Sequence, residues 1–128
     1  MSQTLTFCIN LPEAHKAIEW YKNVFGAVVE MQHDDEATGK LYHANLRFGE
    51  TLIFCCEELC IPGVNSPRTL GGAHMSISIE VANPDEVFVK ALEAGAEEVS
   101  PVADQTWGMR SGTVRDPFGY KWSIFKPL

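Results

Sequence analysis

The chain is predicted to be an α+β protein built from two β-α-β-β-β modules that form a cupped mixed β-sheet with the helices outside. Three observations predict this. Strand-period and helix-period hydrophobic patterns follow one another in the same order twice. Gly26-Ala27, which closes the first helical pattern, is matched by Gly95-Ala96, 69 residues on. Phe48-Gly49 is matched by Phe118-Gly119, 70 residues on, so the repeat keeps a nearly constant offset. A single domain is expected over residues 1–128, with a first module at 4–56, a linker loop at 57–72 and a second module at 73–127. A chain of 128 residues is long enough for a proper hydrophobic core.

The elements are justified in order. Residues 4–10 alternate Thr6, Cys8 and Asn10 against Leu5, Phe7 and Ile9, the period of a strand. Pro12 and Glu13 are expected to open a helix, since Pro suits a first turn. Ala17, Ile18, Tyr21, Val24 and Phe25 give that helix its apolar face, and Gly26 stops it. Strands follow at 27–33, 41–48 and 51–56, punctuated by Gly39 and Gly49. The connection 57–72 holds Pro62, Gly63, Pro67, Gly71 and Gly72, and a loop of this length is usually functional or mobile.

The second module repeats the plan. Residues 73–81 alternate His74, Ser76, Ser78 and Glu80 against Met75, Ile77, Ile79 and Val81. Asn83 is a good N-cap, Pro84 a good first helical residue, and Asp85-Glu86 suit the positive helix N-terminus. Val87, Ala91 and Leu92 carry the apolar stripe, and Gly95 ends the helix. Strands are expected at 97–102, 109–115 and 120–125. The last two are joined by Asp116-Pro117-Phe118-Gly119, in which Pro presets φ, Asp bonds the turn backbone and Gly tolerates a positive φ.

One helix covers one face of each module, so the other face lines a cleft. Alternation places Thr6, Cys8 and Asn10 on the cleft side, with His43, Asn45 and Arg47 of the third strand. Tyr42, Ala44, Leu46 and Phe48 fall behind. His74, Ser76 and Ser78 line the cleft in the second module, as do Lys121, Ser123 and Phe125, while Tyr120, Trp122 and Ile124 look to the helix.

Composition narrows the function. The formal net charge of −7, without a stripe of Lys or Arg, argues against a nucleic-acid partner. No apolar run is long enough to cross a membrane, and Met1-Ser2-Gln3-Thr4 lacks the segments of a signal peptide, so the expected location is the cytoplasm. Cys8, Cys55, Cys56 and Cys60 are expected to be reduced thiols, with Cys55 and Cys56 pointing to opposite faces of their strand.

Paired β-α-β-β-β modules resemble the vicinal oxygen chelate superfamily, which includes glyoxalase I, extradiol dioxygenases and fosfomycin- and bleomycin-resistance proteins. Ala17-Ile18-Glu19-Trp20-Tyr21 with Phe25-Gly26-Ala27 resembles its first-helix motif. Ala94-Gly95-Ala96, the segment from Pro101 through Asp104-Gln105 and Trp107-Gly108 to Arg110, and 116–123 resemble the PhnB-like branch. The resemblance implies a homodimer and a small-molecule cleft. It also implies metal-ligand positions that fall on Thr6, Phe54, His74 and Ser123, of which only His74 is a ligand of the expected kind. No catalytic metal and no cofactor are therefore expected.

The expected function is a small-molecule binding protein of the glyoxalase/bleomycin-resistance type, with an aromatic or cationic ligand. Its cleft is expected to hold Thr6, Cys8, Asn10, His43, Asn45, Arg47, Phe54, His74, Ser76, Trp107, Arg110, Ser123 and Phe125. The alternative is a lyase, isomerase or dioxygenase-like enzyme with His74 as base or as ligand of a divalent metal.

Overall fold

The computed structural model describes residues 2–60 and 62–128, and the chain divides into two compact units, residues 1–69 and 70–128. Each contains one four-stranded mixed sheet and one long helix. The first unit runs β1 (Cys8–Leu11), α1 (Ala14–Phe25), β2 (Val28–Asp34), β3 (Leu41–Phe48) and β4 (Thr51–Glu57). A one-turn helix, α2 (Pro67–Leu70), follows. The second runs β5 (Ser76–Glu80), α3 (Pro84–Glu93), β6 (Glu97–Asp104), β7 (Met109–Arg115) and β8 (Lys121–Pro127). The sheet orders are β1-β4-β3-β2 and β5-β8-β7-β6. In both, the first strand pairs parallel with the last and the other pairs are antiparallel, so the expected β-α-β-β-β plan occurs twice.

In the first unit α1 packs across β1, β3 and β4. Ile9, Leu11, Ala44, Leu46, Ile53 and Cys55 meet Ala14, Ala17, Ile18 and Tyr21 in a fully or nearly fully buried layer. The helix starts one residue later than expected. Glu13 sits at the N-cap in the left-handed region, φ 51°, and Ala14 is the first helical residue. The Ala14 N–H donates to the buried Glu57 carboxylate at 3.2 Å. A glutamate from the end of β4 thus satisfies an orphan donor at the positive end of the helix. Gly26, at φ 72°, closes α1 with bonds from its own N–H to the Lys22 carbonyl and from Ala27 N–H to the Tyr21 carbonyl.

Tyr42 corrects one expectation. A register shift opposite His33 and Asp34 makes it the extra residue of β3, so Leu41 takes the buried place and Tyr42 is exposed. Its ring meets His33 edge-on at 5.9 Å.

The second unit buries Val114, Trp122 and Ile124 against Phe88 and Ala91 of α3. Phe88, absent from the expected stripe, is the helix's main anchor. It lies over Gly112, where an added Cβ would come within 2.9 Å of the Phe88 ring, 2.7 Å of Val102 Cγ2 and 2.9 Å of the Val102 nitrogen. Asn83 caps α3 as expected, its side chain accepting the Glu86 N–H at 3.2 Å. The closing turn is held by Asp116, which is 3% exposed. One carboxylate oxygen accepts from Phe118 N–H and Tyr120 N–H at 2.9 Å each, and the other from the Trp122 indole N–H at 2.8 Å.

The connection after β4 belongs to the first unit. Glu58 accepts from Ser66 N–H at 3.1 Å and from the Thr69 hydroxyl at 3.0 Å, and Arg68 reaches Glu13 at 3.4 Å. Strand β5 is shorter than the expected 73–81. Ser76 pairs with Lys121, the first residue of β8, so position 74 in register falls opposite Gly119, which is in the turn at φ 101°.

Gly112→Ala is expected to destabilise the protein by about 1–3 kcal/mol, because both a ring and a backbone nitrogen must move to admit one methyl group. Chemical denaturation measures this, and an unchanged midpoint would contradict the close approach of α3 to β7.

Candidate functional site

Because one helix covers one face of each sheet, the opposite face carries the other half of every strand. On the first sheet, Cys8, Phe54, Asn45 and Met31 form one cross-strand row. Asn10 pairs with Cys56, and His43 with His33. The centre of this face is a half-buried cluster. The His43 ring lies 4.9 Å from the Phe54 ring between centroids, and His43 Nε2 is 2.8 Å from the Asn45 side-chain oxygen. With that oxygen as acceptor, Nε2 is the donor of this contact. Thr6 lies just before β1, its hydroxyl donating to the Leu52 carbonyl at 3.2 Å. Arg47 forks onto Glu30, with Nη2 at 2.9 Å from Oε2 and Nε bonded to Oε1. This pairing raises the guanidinium pKa and holds the Glu30 carboxyl below its ordinary value.

Three thiols gather beside this cluster. Cys8 Sγ is 3.9 Å from Cys56 Sγ, and the Cys56 thiol is 3.3 Å from the Asn10 side-chain oxygen. Cys60 lies within hydrogen-bond reach of Cys56. Cys55 faces α1 as expected, and burial pushes its thiol up to about 12.

On the second sheet the corresponding face is lined by hydroxyls. Ser78, Ser123, Thr113 and Ser100 follow one another across β5, β8, β7 and β6. Ser76, Lys121, Arg115 and Glu97 form the next row, and Glu80, Phe125 and Ser111 the row beyond.

Three expected site residues in this unit sit elsewhere. Arg110 shares the α3 side of β7 with Gly112. Its guanidinium forks onto Asp85 at 2.7 and 2.8 Å, in the first turn of α3, and reaches Asp104 at 2.9 Å. Parity along β7 places it behind the sheet. His74 precedes β5 and is exposed, so its place on the strand face is lost with the strand's first residues. Trp107 is at the tip of the β6–β7 turn and 68% exposed.

A further cavity of about 580 Å3 opens in the first unit between the β2–β3 turn and the segment after β4. Asp35, Glu36, Glu57 and Glu58 line it with His33, Lys40 and Tyr42. Its size suits a small molecule, and its carboxylates outnumber its cations. No hydrophobic period marks such a cavity.

The donor set at the superfamily's metal positions does not fit a divalent-metal centre. The Thr6 hydroxyl is engaged by a carbonyl, Phe54 has no donor atom, Ser123 offers a neutral hydroxyl and His74 lies ahead of its strand. Among the described residues no group of three or more His, Cys, Asp or Glu side chains is placed to hold a metal ion. Nor is any helix among them long and apolar enough to cross a membrane.

Residues 4–124 match the family model of the Glyoxalase/Bleomycin resistance protein/Dioxygenase superfamily. An uncharacterized protein of Mycobacterium bovis is 37% identical over 119 residues, which are 91% of this chain and 78% of that protein. The crystal structure of TioX from Micromonospora sp. ML1 superposes with a TM-score of 0.71 at 26% identity, covering 99% of this chain and 100% of TioX. A putative 3-demethylubiquinone-9 3-methyltransferase, the PhnB protein of Bacillus cereus, gives a TM-score of 0.75 at 16% identity over 95% and 98% of the two chains, a likeness of fold alone.

Arg110 holds the Asp85 carboxyl below the ordinary Asp range, chiefly through its hydrogen bonds. The folded pKa is depressed, so this contribution to stability is present above the unfolded value and is lost as pH falls through the folded one. In Arg110→Ala the Asp85 carboxyl is expected to titrate at higher pH, back in the ordinary range, as followed by carboxyl-carbon NMR. An unmoved midpoint would show that the fork is not formed in solution.

Proposed function

We propose that this chain, which belongs to the Glyoxalase/Bleomycin resistance protein/Dioxygenase superfamily, is a small-molecule binding protein that works without a catalytic metal and takes an aromatic, cationic compound. The observation that carries this reading is the half-buried Phe54–His43–Asn45 cluster at the centre of the first sheet's open face. It offers a flat apolar surface with imidazole, amide and thiol groups alongside. An aromatic ring stacks on Phe54 with favourable offset geometry. A polar group on the same ligand meets the His43 ring or the Asn45 side chain.

The preference for a cation rests on charge. The net charge of −7 raises the local concentration of cations around the protein. The four carboxylates around the nearby cavity act in the same sense, and His33 belongs both to that cavity and to the row containing His43. The proposal includes a cytoplasmic, homodimeric protein. A dimer would also cover Met31 and Val28, which are exposed on the first sheet.

The chemistry asked of these residues is recognition alone. The Ser and Thr hydroxyls and the Asn side chains donate or accept without changing charge. The reading therefore calls for a ligand held and released unchanged.

Ethidium, a planar aromatic cation, tests the reading by fluorescence titration with and without EDTA. Saturable binding insensitive to EDTA is expected, with affinity weakened about tenfold in Phe54→Ala, the value of roughly 1.4 kcal/mol of stacking. Binding that EDTA abolishes, or that Phe54→Ala leaves unchanged, would overturn it.

A further inference from the structure

We propose that Cys8 and Cys56 form a peroxide-sensitive thiol pair, with Cys8 the attacking sulfur and Cys56 the resolving one. The pair is defined by geometry and does not depend on the ligand-binding reading. The two sulfurs are 3.9 Å apart on the open face of the first sheet, close to van der Waals contact. Their surroundings differ. Cys8 is exposed on the edge strand β1, where hydroperoxide reaches it from solvent. Cys56 is 6% exposed in the interior strand β4. Its thiol donates to the Asn10 side-chain oxygen at 3.3 Å, and its sulfur accepts from the Cys8 thiol at 3.9 Å.

When Cys8 ionises, the Cys56 thiol can donate to it in turn, and this contact holds the Cys8 pKa below its ordinary value. The same bond, together with burial, keeps Cys56 protonated. An exposed thiol with a lowered pKa beside a protonated partner thiol is the arrangement that sulfenic acid chemistry needs.

The step balances with a hydroperoxide as oxidant. The Cys8 thiolate attacks the peroxide oxygen, so an S–O bond forms and the O–O bond breaks. The leaving hydroxide or alkoxide takes a proton and departs as water or an alcohol. Cys8 is now a sulfenic acid, two electrons more oxidised. The Cys56 sulfur attacks it, the S–S bond forms, the S–O bond breaks, and the hydroxyl leaves as water with the Cys56 proton.

The register predicts the character of the product. Cys8 pairs with Phe54 and Cys56 with Asn10, so the two cysteines are diagonal across β1 and β4. Diagonal neighbours lie farther apart along the backbone than an unstrained disulfide spans. Closing the bond therefore pulls on β1, a four-residue strand at the sheet edge. A bond formed under strain is readily reduced, so the modification is reversible.

The test treats the fully reduced protein with a slight excess of hydrogen peroxide at neutral pH, quenches and maps the peptides by mass spectrometry. A Cys8–Cys56 disulfide is expected, with loss of two hydrogen atoms from the intact mass and full recovery on mild dithiothreitol. In Cys56→Ser a dimedone adduct is expected to accumulate on Cys8, and in Cys8→Ser neither product forms. The wild-type map alone decides the matter if a variant folds poorly. A Cys56–Cys60 disulfide with Cys8 left free, or Cys8 no faster to oxidise than Cys60, would overturn the proposal.

Discussion

Each unit has four strands and a single long helix to cover them, and the rest of the structure depends on that shortage. A helix of 10 or 12 residues spans one face of a four-stranded sheet and packs on that face alone. Alternation then divides every strand. Ile9, Leu11, Ala44, Leu46, Ile53 and Cys55 go under α1. Asn10, Asn45, Phe54 and Cys56 go to the opposite side, where no helix of the unit packs on them. Apolar burial pins the register, since a slip of one residue would turn the core set outward. The functional face is thus specified indirectly, by the need to bury its neighbours.

The two units meet the same constraint with different fastenings. In the first, a carboxylate from the end of β4 caps α1 through Ala14 N–H. In the second, Asp116 gathers two turn N–H groups and the Trp122 indole, tying the β7–β8 turn to the largest buried ring. Both carboxylates are buried, and each earns its place through hydrogen bonds from N–H groups. Phe88 over Gly112 completes the second unit with a close approach that only a missing side chain permits.

Much of this was legible in residue order. The period-2 runs separated the faces of β1 and β8 correctly, and Gly26, Asn83 and Asp116 marked a helix end, a helix start and a turn through known local chemistry. What escaped was set by pairing between strands. Tyr42 moved outward because β3 has one residue more than β2 opposite His33. His74 lost its place in the strand because β8, its partner, begins only at Lys121. Arg110 was assigned to the open face from a motif in a loop, whereas its parity with Gly112 along β7 puts it beside α3. The acidic cavity and the Cys8–Cys56 contact join segments far apart in the chain, and no local pattern reports such a meeting.

The central claim is that the open face of the first sheet is a metal-independent ligand surface. Amide and aromatic NMR shifts of the isotope-labelled protein, recorded in EDTA during an ethidium titration, test it most directly. The account predicts saturable shifts concentrated at His43, Asn45, Phe54 and Cys56, with Ile9, Ala44 and Cys55 beneath α1 little affected. Shifts that are absent, or that cluster on the helix side instead, would contradict it.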